Sequence, residues 1–153
     1  MISLEGVSVS YGEVAALEDV SFHVERGECV LVTGPSGCGK STLGRVITGH
    51  VPHALPGTVS GRVEVDGLDL AAHPIPEIAQ HVGMVFQRPA SQLFHLTAEN
   101  EVAFGPRNLG LDEAEVARRV DWALRATGLT DLRSAAPSSL SGGQKQCLAI
   151  AAA

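Results

Sequence analysis

The sequence has 153 residues, a formal net charge of −6, 44% hydrophobic residues and 18% charged residues. That length fits one domain or a large part of one, and the composition can bury a core, which excludes a disordered chain. The acidic balance argues against a nucleic-acid partner, since such a protein needs a basic face to neutralise phosphates.

Ile2 to Ser10 alternates apolar and polar residues, which predicts a half-buried strand. Val20 to Val24 reads as its antiparallel companion, followed by a turn at Arg26-Gly27-Glu28. Cys29-Val30-Leu31-Val32-Thr33 is a continuous apolar run ahead of glycines, and predicts a buried parallel strand. Ser41 to Gly49 predicts a helix, with Leu43, Val46 and Ile47 on one face and Gly49 as its stop. Residues 51–61 are rich in Pro and Gly and read as loop. Arg62 to Val65 predicts a strand turned by Asp66-Gly67, and Val82 to Phe86 a further short strand. Glu99 to Phe104 predicts a helical turn ended by Gly105-Pro106. Asp112 to Thr127 is the clearest helix: Asp112 and Glu115 have capping-box spacing, and Val116, Val120 and Leu124 form a stripe. Ser141 begins a last helix that runs to the end of the sequence. No basic-then-apolar leader and no membrane-spanning length is present, so a membrane role is expected to come through a partner. Cys29, Cys38 and Cys147 lack zinc-type or CxxC spacing, which points to a reduced compartment. The six histidines (His23, His50, His53, His73, His81 and His95) show no i, i+4 pairing and read as solvated loop residues rather than metal ligands.

Gly34-Pro35-Ser36-Gly37-Cys38-Gly39-Lys40-Ser41-Thr42 fits G-x-x-x-x-G-K-[ST] at every fixed position, between a predicted strand and a predicted helix. Glycines let backbone N–H groups close around phosphate oxygens at the positive end of a helix. Lys40 adds a point charge for the β- and γ-phosphates, and the Ser41 hydroxyl can ligate Mg²⁺. This pattern indicates a phosphate-binding NTPase without separating transporters from kinases, GTPases or helicases.

Leu140-Ser141-Gly142-Gly143-Gln144 supplies a second helix start, with Ser141 as N-cap and Gln144 completing a capping box. With these two motifs the chain resembles the ATP-binding cassette (ABC) family, whose signature is Leu-Ser-Gly-Gly-Gln. The resemblance implies that two such domains pair head to tail, so that Ser141, Gly142, Gly143 and Gln144 serve ATP held by a second ABC domain, identical or different. It also implies that Tyr11 stacks on adenine, and that Gln87 contacts Mg²⁺ and the attacking water, with Lys40 and Gln87 in catalytic roles. The fold it implies is α/β: a P-loop core with an antiparallel β subdomain at 1–88, a helical subdomain at 89–139, and the signature with its helix from 140 to 153.

Gln92-Leu93-Phe94 and Val102-Ala103-Phe104-Gly105-Pro106 are similar to the ATPases of energy-coupling factor importers. Leu93, Phe94 and Phe104 are either core of the helical subdomain or an apolar face that receives a helix of a transmembrane partner. The family normally continues past its signature to a strand ending in Asp-Glu and then to a switch histidine, neither of which lies within these residues. The expectation is therefore a truncated product or part of a longer protein, incomplete at the C-terminus and inactive in hydrolysis by itself. The whole would be an ATP-hydrolysing importer subunit, peripheral on the cytoplasmic face of the membrane. The alternatives are a catalytically silent regulatory cassette and a soluble ABC ATPase without a membrane partner.

Overall fold

The alternating N-terminal stretch forms β1 (Ile2–Tyr11), and its companion β2 (Val14–Val24) starts earlier than the sequence suggests. β1 sits centrally in an antiparallel sheet of order β2-β1-β3-β4, with β3 at Thr58–Val65 and β4 at Leu68–Asp69. The computed structural model describes residues 1–153, in two compact units at Met1–Gly83 and Met84–Ala153.

In the first unit the apolar positions of the pleat turn to one side. Leu4, Val7, Val9, Leu17, Val63 and Val65 meet Leu43 and Val46 of α1 (Lys40–Ile47) in one buried cluster. Val51 in the short α2 (His50–His53) and Ile78 in α3 (Ile75–Ile78) complete it. The turn after β3 carries a charge hub. Asp66 Oδ1 accepts from the Met1 ammonium at 2.8 Å and faces Arg26 at 3.4 Å, with His81 3.7 Å from its other oxygen. The ammonium hydrogen bond, followed by Arg26, holds the Asp66 carboxyl below its ordinary range.

The second unit is helical: α4 (Ala98–Asn108), α5 (Glu113–Ala126) and α6 (Gly142–Ala152). Val102, Val116, Val120, Leu124, Leu140 and Leu148 share one core. The Thr97 hydroxyl caps α4 and the Asp112 carboxylate caps α5. α4 continues past Gly105-Pro106 to Asn108, contrary to the expected stop. Pro106 falls in the last turn, where it removes a single backbone donor and little helix remains to disrupt.

Two expected strands are not formed. Residues 29–33 and 82–86 join no ladder, and no parallel pairing occurs. Val30, Leu31 and Val32 are 47%, 85% and 48% exposed rather than buried. An apolar run becomes a buried strand only where neighbouring strands pair with it, and none of β1–β4 does. The expectation of solvated loop histidines holds only in part, since His50 and His53 lie in α2, His50 Nδ1 pairs with the Thr48 hydroxyl and the His95 ring packs against Phe94 and Phe104. His53 Nε2 donates to the Leu70 carbonyl and His73 Nδ1 to the Asp69 carbonyl. No helix is long and apolar enough to cross a membrane.

Candidate functional site: two glycine turns at helix starts

The loop at 34–39 leads into α1 through Gly39, which takes φ +92° at the N-cap position. A Cβ there would meet the Ala16 carbonyl at 2.6 Å and Leu17 Cδ2 at 2.7 Å, so the loop presses against β2 where only glycine fits. At Gly34 a Cβ would meet Cys38 Sγ at 2.7 Å, because the loop closes on itself. The Cys38 N–H donates to the Pro35 carbonyl at 3.4 Å, completing the turn. Lys40 Nζ folds back over this turn. It donates to the carbonyls of Gly34 at 2.8 Å and Pro35 at 2.7 Å, with Cys38 Sγ 3.4 Å away.

No side chain caps α1, so its first amides keep no side-chain acceptor. Residues 34–38 and Ser41 are exposed, while Thr42 is buried and anchors the helix start. Uncapped amides at the helix start, an exposed glycine-rich loop, a lysine and a hydroxyl are the donor types that a triphosphate with Mg²⁺ needs, and these residues fit that group. The thiol contact is the weakest of the three lysine contacts and the one most easily exchanged for a phosphate oxygen.

Tyr11 closes β1 in the same unit. Its ring packs against the core cluster and lies over Gly57, where a Cβ would meet Cε1 at 3.3 Å. Its hydroxyl is enclosed without a hydrogen-bond partner.

The second unit holds Gln87 and the signature residues. Gln87 is exposed, in a loop closed by Gln92, whose Oε1 accepts from the Phe86 N–H at 2.9 Å. Ser141 and Gln144 form the full capping box. Ser141 Oγ accepts from the Gln144 N–H at 3.3 Å, and Gln144 Oε1 accepts from the Ser141 N–H at 2.8 Å. Gly142 and Gly143 are exposed, and a Cβ on either would meet nothing within 4 Å. Neither has the positive φ that demands glycine. Within its own chain, then, nothing at these positions requires glycine.

The aromatic stretch divides between its two readings. Leu93 packs partly buried against the helical core, whereas Phe94 is 64% and Phe104 42% exposed. Their rings meet edge to face with centroids 5.1 Å apart, and the His95 ring lies against both. One residue here escaped the sequence reading. Glu101 is 4% exposed and accepts from the N–H groups of Phe94 and His95, both at 2.8 Å. Its signal was an acidic residue on the same helical face as Ala98 and Val102.

A sequence model of the ABC transporter family matches residues 17–153. A protein of Pyrococcus abyssi named as an ABC transporter ATP-binding protein is 46% identical over 153 residues, covering 99% of this chain and 55% of that one. The energy-coupling factor transporter ATP-binding protein EcfA of Methanoculleus marisnigri is 46% identical over 140 residues, covering 92% of this chain and 49% of that one. Among solved structures, cbiO1 of Clostridium perfringens, part of the ABC transporter complex cbiONQ, aligns with TM-score 0.82 at 34% identity. That alignment covers 99% of this chain and 59% of cbiO1. An ATP-binding cassette solved as a post-hydrolysis dimer with ADP and Pi aligns with TM-score 0.79 at 29% identity, over 99% of this chain and 68% of that one. The chain thus spans about half the length of the curated relatives it matches.

Proposed function

This chain belongs to the ABC transporter family, and from that premise we propose that it is the MgATP-binding portion of an importer subunit of energy-coupling factor type. The observation that carries MgATP binding is the pair of glycine-bearing helix starts, both open to solvent, and the importer type leans on the likeness to EcfA and cbiO1. Residues 34–42 hold the chain's own nucleotide. Their amides and Lys40 Nζ bind the phosphates, the Ser41 hydroxyl takes Mg²⁺, and Tyr11 lies under the base. When bound, Mg²⁺ offsets charge on the triphosphate. By the family resemblance, Gln87 would serve as a metal contact and water-orienting group, and its exposure leaves it available for that role.

The signature serves a different molecule. Glycine at 142 and 143 is not demanded by the chain's own packing, so its use is close approach by something from outside. An identical or different ABC domain bringing its own triphosphate meets that description, and the relative solved as a dimer supports it. Binding energy drawn from closing two such domains drives the motion, and hydrolysis resets it. The exposed pair Phe94 and Phe104 faces an apolar helix of a transmembrane subunit, as the membership of cbiO1 in a transporter complex supports. The chain then works as a peripheral protein on the cytoplasmic face.

Two substitutions in the full-length protein test this. Lys40→Ala is expected to weaken MgATP binding by about 10- to 100-fold, the value of a charged hydrogen bond. Unchanged affinity in calorimetry overturns the phosphate site. Gly143→Leu adds a side chain where there is open space, so folding and monomer affinity should persist. ATP-dependent dimerisation that also persists in that variant overturns the shared-nucleotide reading.

A further inference from the structure

We propose that Glu101 is a positioning residue that sets the pose in which Phe94 and Phe104 meet the transmembrane subunit. This rests on the docking reading above. A buried carboxylate is costly unless it is compensated, and here the compensation is specific. Glu101 stands in the first turn of α4, where the helix end favours negative charge, and one oxygen, Oε2, takes both the Phe94 and the His95 N–H. Two consecutive amides aimed at a single oxygen fix the backbone between them.

That fixed backbone carries the aromatic cluster. Phe94 lies at 88° to Phe104, and the His95 ring sits 4.4 Å from Phe94 and 5.1 Å from Phe104. His95 Nδ1, itself enclosed, is 3.5 Å from the same Glu101 oxygen, so the carboxylate also borders the ring that fills the gap. Phe94 is therefore exposed without being loose. A ring held in its docking pose loses less freedom when a partner covers it, and affinity rises by that difference. Glu101 acts on the interface without touching it.

The test uses the full-length protein with its transmembrane subunit and the variants Glu101→Met, Glu101→Gln and Phe94→Ser. Methionine fills the space but accepts no hydrogen bond, whereas the glutamine amide oxygen accepts both N–H groups. Glu101→Met is expected to weaken subunit docking by about tenfold while leaving MgATP affinity within about twofold, with Glu101→Gln close to wild type. Amide exchange at Phe94 and His95 should accelerate in the methionine variant and stay slow in the glutamine variant. If Phe94→Ser weakens docking but Glu101→Met does not, the positioning role is overturned and the docking face stands. If Phe94→Ser docks at wild-type affinity, the docking face falls and this role with it. Rapid exchange of the Phe94 and His95 amides in the wild-type protein overturns the proposal without any variant.

Discussion

At Gly39 the geometry leaves room for a hydrogen and nothing larger. Gly39→Ala forces a positive φ on a residue with a Cβ and drives that Cβ into the Ala16 carbonyl. The cost is on the order of 1–3 kcal/mol. Thermal unfolding and nucleotide titration should both register it, as a lower midpoint and weaker MgATP binding. Asp66 gives a pH effect of defined sign. Its folded pKa is lowered by the Met1 ammonium and by Arg26, so its contribution is present above the ordinary carboxylate value and is lost as pH falls through the lower folded value. Melting temperature should therefore drop below about pH 4 more steeply in the wild type than in Asp66→Asn. Single residues differed in how far the sequence disclosed them. The phosphate-loop glycines were legible because their spacing is itself the chemistry. Glu101 was not, because its burial depends on the turn at 94–95 lying over α4, a contact that no local pattern encodes.

Helices were the most legible elements, because a helix satisfies its own backbone and needs only a buried stripe and a cap. α5 shows this: Val116, Val120 and Leu124 are buried, and Asp112 accepts from the Glu115 N–H at 2.9 Å. Only half of its expected capping box forms, since the Glu115 carboxylate turns instead to Arg118 and Arg119. Those arginines hold the Glu115 carboxyl below its ordinary range, yet both are exposed and such pairs contribute little. Asp112→Ala should thus cost about 1 kcal/mol in denaturant unfolding, with Asp112→Asn near wild type. Arg118→Ala should leave the midpoint unchanged within error. Strands were less legible for the opposite reason. The run at 29–33 has the composition of a buried strand, but a strand exists only by pairing, and the pairing partner is not a property of the run.

Across the whole molecule, two short motifs made the family legible and, through the resemblance, implied a division of labour between them; the structure adds the local support that each motif has. The phosphate loop stands in the first unit and the signature in the second, and each has its own local support: Gly39 against β2, and the capping box at Ser141. Breaking one should therefore leave the shape of the other intact. If the second domain of the proposed pair is a further copy of this protein, the open ground in front of Gly142 and Gly143 makes turnover a matter of arithmetic between copies. Full-length Lys40→Ala and Gly143→Leu proteins, each inert alone, should regain turnover when blended, since a mismatched couple assembles one sound centre from the undamaged halves and confines both lesions to the other. At equal amounts about a quarter of the wild-type centres is the ceiling, reached only where pairing is indifferent to both substitutions. In a protein that pairs with itself, and with mixed couples shown to form, a blend as silent as its ingredients would count against the two motifs serving different molecules.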